Sequence, residues 1–255
     1  MRARFRSLAR RALARAGVEV VRHSGQAPRR TLAEVLGNLR GLGLAPGTLV
    51  DVGVAWGTPE LYDAFPDAEL LLVEPLAEYE SALRELTERR RGHYVLAAAG
   101  PQPGEIEIGV HRVPTLSSAV GERDELTARR TVPVVTLDEL TATEQAPFVL
   151  KVDVEGGELD VLRGAHDTLE RTDLVLLEVS LLELVPGSPL LSDVVAWMAD
   201  SGWAAYDVYG GHLRPLDGAL AQLDMAFVKR DGRFRADARY ATAEQAEALY
   251  RGWGF

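Results

Sequence analysis

Short apolar runs recur along this chain, each followed by a segment with helical spacing, and that alternation is the strongest constraint on its fold. TLVDVG (48–53), ELLLVEP (69–75), HYVLAAA (93–99), FVLKVDV (148–154) and DLVLLEV (173–179) read as buried parallel strands. Helical segments stand between them. TPELYDAF offers Thr58 as a cap and Pro59 at the first helical position, 77–90 turns Tyr79, Ala82, Leu83 and Leu86 inward, and 157–169 does so with Leu159, Leu162, Ala165 and Leu169. Ahead of the first strand, TLAEVLGNLR (31–40) opens with a capping box, Thr31 and Glu34, and carries Leu32, Val35, Leu36 and Leu39 on one face. Right-handed crossovers then give a three-layer α/β sandwich, Rossmann-like, around a mostly parallel sheet.

Two interruptions refine this architecture. EIEIGVH (105–111) alternates like a two-faced hairpin strand, with TVPVVTL (131–137) as a neighbour. After a helix near 189–200, WAAYDVY (203–209) and LDMAFVKR (223–230) are joined by a loop alone, so the last strand is expected to run antiparallel to the other six. The expected divisions are a basic arm and helical cap (1–45), the main domain (46–232) and a helical tail (233–255).

Charge and composition exclude several roles. The chain has no cysteine, so disulfides, thiol nucleophiles and thiolate metal sites are out. Residues 1–30 hold nine arginines against Glu19, a net +8 that leaves −18 on the remainder. An acidic body argues against a nucleic-acid-binding face. The arm places Phe5, Leu8, Ala9, Ala12, Leu13 and Ala16 at helical spacing. Its plain reading is a solvated arm or a helix resting on the acidic body; the alternatives are an anionic membrane or a partner subunit. No apolar stretch approaches the roughly 20 residues of a bilayer span, and the start lacks the apolar core of a secretory signal. A cytoplasmic location is expected. Arm and tail are both placed to bridge subunits of a homo-oligomer.

In such sheets ligands bind outside the carboxyl ends of the strands. The first strand ends in VDVGVAWGT, where Gly53 permits a sharp turn and Gly57 leaves room for a ligand; the spacing is not the G-x-G-x-x-G of a diphosphate loop. A nucleoside without phosphates is the expected ligand. Glu74 ends the second strand 23 residues after Asp51, where an acid accepts hydrogen bonds from both ribose hydroxyls. S-adenosylmethionine meets that description. The fourth run ends in Asp153 and Glu155, an i, i+2 pair expected on one face at the sheet's edge, followed by Gly156, Gly157 and a helix-capping Glu158. Carboxylates that close repel unless a cation lies between them. Glu178 is expected on the adjacent strand end.

Together, VDVGVAWGTPELY, LLLVEPL, VVTLDEL, KVDVEGGELDVLRGA and DLVLLEV resemble, in that order and spacing, the FkbM-type family of S-adenosylmethionine-dependent O-methyltransferases over roughly residues 48–180. The resemblance implies a seven-stranded class I methyltransferase fold and methyl transfer to a hydroxyl of a sugar or secondary metabolite. It further implies that Asp51, Gly53 and Gly57 form the cofactor loop, that Glu74 is the ribose acid and that Ala98 lies near the adenine. Ser117 and Ser118 look like the serine pair near the cofactor, and Asp153 and Glu155 like the acids beside the transferred methyl. One departure is Ala55, where many members carry asparagine.

A hydroxyl must lose its proton as it attacks a sulfonium methyl. Asp153 or Glu155 is the expected base; alternatively Asp153, Glu155 and Glu178 hold a Mg²⁺ ion against the acceptor. The five histidines show no metal-ligand spacing, and His212, in the glycine-rich YGGHLRP, is the one placed to meet an acceptor. Trp56, Tyr206 and Tyr209 are core or stacking aromatics. The rival readings are a nicotinamide-dependent oxidoreductase and a cofactor-binding module without catalysis.

Overall fold

A computed structural model describes residues 28–111 and 126–253. The expected arm helix over residues 5–16 and the pair Ser117 and Ser118 lie outside the described residues. In chain order the elements are α1 (Leu32–Gly41), β1 (Thr48–Val52), α2 (Pro59–Ala64), β2 (Glu69–Val73), a 3-10 turn (Ala77–Tyr79), α3 (Glu80–Arg89), β3 (Gly92–Val95), β4 (Ala98–Ala99), β5 (Gly104–His111) and β6 (Leu126–Val135). There follow α4 (Leu137–Thr141), β7 (Phe148–Val152), α5 (Glu158–Arg163), α6 (His166–Glu170), β8 (Thr172–Ser180), α7 (Leu191–Asp200), β9 (Trp203–Leu213), β10 (Leu220–Lys229) and α8 (Ala243–Trp253).

Seven strands form the main sheet in the order β3-β2-β1-β7-β8-β10-β9, with β10 alone antiparallel to its neighbours. Helices cover both faces. One face packs Val50, Phe148, Leu150, Val175 and Phe227 against Leu162, Ala165, Val194 and Met198; the other packs Leu49, Leu70, Val149, Leu176 and Ala226 against Val35, Leu36, Leu39, Leu61 and Leu83. This is the three-layer class I methyltransferase architecture, with the strand order reversing between β1 and β7. Helices α5 to α7 lie on the first face, while α1 to α3 lie on the second.

Helix α1 begins with the expected capping box, Thr31 accepting from the Glu34 amide and Glu34 reaching back to the Thr31 amide. Its Val35, Leu36 and Leu39 are wholly buried. Each such side chain contributes about 1.5–3 kcal/mol, and the three pack in one cluster with Leu49 and Leu70 of the sheet.

Three local expectations are corrected. The run 93–99 splits: Gly92–Val95 pairs with β2, whereas Ala98–Ala99 joins β6 and β5 in a separate three-stranded sheet. The helix expected over 157–169 is two short ones, broken at Gly164, where a β-carbon would stand 2.0 Å from the Gly100 carbonyl oxygen. Finally, Gly210 to Leu213 also belong to β9, with His212 opposite Gln222, so the connection between the last strands is shorter than the sequence suggests.

Candidate active site

At the carboxyl ends of β1, β2 and β7 lies a cleft of about 340 Å³, within the usual range for small-molecule sites. Gly53 and Ala55 form one side, Glu74 and Leu76 another, Ala97 to Gly100 a third, and Asp153 to Glu155 the fourth; Ile106, Ile108 and Val134 of the small sheet close it over. Five carboxylic residues line it, Glu74, Glu105, Asp153, Glu155 and Asp160, and among the described residues no Arg, Lys or His does.

Glu74 is buried where β2 ends. Its Oε2 accepts the Ala55 amide at 3.0 Å and its Oε1 the Leu76 amide at 2.9 Å. Burial raises its pKa above the usual carboxylate value, and the two amides oppose that rise. The carboxylate is thereby held rigidly at the wall, with acceptor capacity left on both oxygens for a diol. Ala98, expected near an adenine, lies on the apolar wall with Ala97 and Ala99.

The turn after β1 places its three expected residues differently. Gly53 lines the cleft, but Asp51 and Gly57 stand behind it. Asp51 is fully buried within the sheet, accepting from the Tyr62 hydroxyl at 2.5 Å through Oδ2, with the Lys151 ammonium 3.7 Å from Oδ1. A β-carbon on Gly57 would press on Leu86 at 2.9 Å and Tyr62 at 3.2 Å, so its missing side chain serves helix packing. Ala55 takes a positive φ of 47°, a conformation that costs a non-glycine residue about 1–2 kcal/mol. It carries Trp56 outward, two-thirds exposed, edge-on to Tyr79 with ring centres 5.1 Å apart.

Asp153 and Glu155 both reach the cleft, though by another route than strand alternation. β7 ends at Val152, and Glu155 sits at φ 56° in the loop that follows. That loop is tied by Glu158, whose Oε1 accepts the Val154 and Gly156 amides at 3.3 and 3.0 Å. Burial pushes Glu158 up to about 7. Its structural assignment fits these bonds.

A cation does lie between acids, but below the expected pair. Lys151 donates to Asp153 Oδ2 at 3.0 Å while facing Asp51 across the β1–β7 register. Burial works against its charge, yet Asp153 and Asp51 more than offset this and hold the ammonium well above its ordinary pKa. Beyond Asp153, Glu178 and Asp224 are register partners on β8 and β10. Burial, then the charges of Asp153, Glu155, Asp224 and Glu158, push Glu178 up to about 9; Gln222 donates to it at 2.6 Å. Burial and Asp153 push Asp224 to about 6. Asp224 and Lys151 were not singled out from sequence; the antiparallel closure of LDMAFVKR was the signal that could have brought Asp224 to this edge. Among the described residues, no three His, Asp or Glu side chains gather into a group that could hold a metal ion, so Asp153, Glu155 and Glu178 are neighbours without forming a ligand set.

The residues fit a phosphate-free, positively charged nucleoside: a rigid acid for the ribose, an apolar wall for the base, and a lining that holds five carboxylic residues and, among the described residues, no basic one. A diphosphate would find repulsion instead.

A family model described as Methyltransferase FkbM domain matches residues 53–203. No curated protein matches the chain. Among solved structures, precorrin-6y C5,15-methyltransferase from Geobacter metallireducens GS-15 is similar at 13% identity, covering 78% of this chain and 86% of that one, with a TM-score of 0.42. Magnesium protoporphyrin IX methyltransferase from Synechocystis PCC 6803 with bound SAM is similar at 11%, covering 77% and 76%, TM-score 0.44. Aeropyrum pernix fibrillarin with natively bound S-adenosyl-L-methionine stands at 17%, covering 75% and 73%, TM-score 0.42.

Proposed function

Because the chain belongs to the FkbM methyltransferase domain family, we propose that it moves a methyl group from S-adenosylmethionine to a hydroxyl of a small-molecule or glycan acceptor, a sugar or secondary metabolite. The observation that carries the cofactor is the charge of the cleft, five carboxylic residues and no described cation. It suits a ligand bearing a sulfonium and an ammonium, and it disfavours the diphosphate of a nicotinamide dinucleotide. When bound, the cofactor supplies the methyl group as an electrophile.

The chain's own residues do the rest. Glu74 orients the ribose. Asp153 and Glu155, at the wall between the cleft and the outer acids, take the acceptor hydroxyl's proton as it attacks. Oxygen acceptors are favoured because a carboxylate at the cleft wall can take the proton that a hydroxyl must lose as it attacks. Titration calorimetry with S-adenosylhomocysteine against NAD tests the cofactor, and tritiated methyl transfer to a panel of sugars and phenols tests the acceptor. Asp153→Asn and Glu155→Gln are expected to lower transfer by about 10²–10⁴-fold while cofactor affinity stays within roughly threefold (about 0.7 kcal/mol). Wild-type turnover in both variants would remove these acids from the reaction.

A further inference from the structure

This chain uses arginine for nearly all its positive charge, with 26 arginines and only two lysines, Lys151 and Lys229. One of the two, half-buried, stands next to a cleft residue, Asp153. The Lys151 side chain is 16% exposed, its ammonium 3.0 Å from Asp153 Oδ2 and 3.7 Å from Asp51 Oδ1. Asp51 is wholly buried, and no hydrogen bond reaches its Oδ1, so this ammonium is what compensates that oxygen. Tyr62 holds the other oxygen. A line of contacts therefore runs from α2 through β1 and β7 to the cleft wall. A compact ammonium suits a point between two carboxylates on adjacent strands, whereas a planar guanidinium needs room for its fork.

We infer that Lys151 is a positioning residue of the transfer site: anchored from below by Asp51 and Tyr62, it holds the Asp153 carboxylate at the wall of the cleft. This rests on the cofactor reading above. The groups around Asp153 are Glu155 and Glu158 after β7, Glu178 on β8 and Asp224 on β10, with His212 on β9 acting on Asp224; among these described groups Lys151 is the cation bonded to Asp153.

Protein grown on lysine labelled at Cε and Nζ carries label at two side chains. Lys229, which donates to the Glu170 carbonyl at the opposite end of the sheet, is an internal reference. Lys151→Arg assigns the signals. Saturating S-adenosylhomocysteine is expected to move the Lys151 signal by more than its line width and leave Lys229 in place; in Asp153→Asn the response is expected to fall by at least half. A lysine that merely fills the sheet would not respond. The inference is overturned if Lys151 stays put while calorimetry records binding, or responds in full in Asp153→Asn. Should Asp153→Asn not fold, the wild-type comparison of the two lysines decides. Absence of binding heat overturns the cofactor reading itself, and this inference with it.

Discussion

Gly53 passes so close to Asp153 that a β-carbon on the glycine would stand 1.8 Å from the aspartate's carbonyl oxygen. The loop after β1 and the loop after β7 are thus in backbone contact, and the cleft lies where they meet. Gly53 also holds φ at 78°. Gly53→Ala is expected to cost at least about 2 kcal/mol from the left-handed conformation and the clash, lowering Tm by roughly 4–8 °C. Thermal denaturation followed by circular dichroism measures it.

Glu74 meets two backbone amides and faces the cleft. Glu74→Gln loses the charge and turns an N–H₂ toward one of those amides. Charge-assisted bonds contribute about 1.5–3 kcal/mol each, so S-adenosylhomocysteine should bind roughly 10–100-fold more weakly. Calorimetry on the variant reads this directly, and affinity equal to wild type would take Glu74 off the ribose.

Tyr62 supplies the hydrogen bond at 2.5 Å that reaches the buried Asp51 carboxylate. Tyr62→Phe leaves that carboxylate with the ammonium of Lys151 alone. A loss of about 1–3 kcal/mol is expected, visible as a lower urea midpoint with an unchanged slope.

Glu178 and Asp224 oppose each other across β8 and β10, and burial raises both, to about 9 and about 6. Raised carboxylates bind more protons in the folded chain than in the unfolded one, so stability falls as pH climbs through the window from the ordinary carboxylate value to about 9. Tm should therefore decline from pH 5 to pH 9. Glu178→Gln keeps an acceptor for Gln222 and removes the charge. It is expected to flatten that decline and to raise Tm at pH 9 by roughly 2–4 °C, the response to about 1 kcal/mol in a chain of this size. A variant with the wild-type pH dependence would place the proton elsewhere.

Much of this was legible from local pattern. The apolar runs are strands because their residues are buried on both faces, and the capping box starts α1 because Thr31 and Glu34 are three residues apart. The antiparallel last strand follows from the absence of a helix before it. Where reading failed, a contact between distant segments overrode the pattern. HYVLAAA is continuous in sequence, yet its second half pairs with Val134 and Val135 rather than with β2. The helical pattern over 157–169 is interrupted at Gly164, where the Gly100 carbonyl leaves no room for a β-carbon. Asp153 and Glu155 share the cleft through a positive-φ turn that strand periodicity does not contain.

The order of strands and helices, the glycine turn and the acid after β2 are properties of the sequence itself, since each depends on side chains within a few positions of one another. The charge state of the site is not. Asp51 lies 100 residues from Lys151, and Glu178 lies 46 from Asp224; only sheet register brings them together. Electrostatic energy depends on distance and burial in space, so which acid keeps its charge, which takes a proton and which is held by a cation was decided by the tertiary structure.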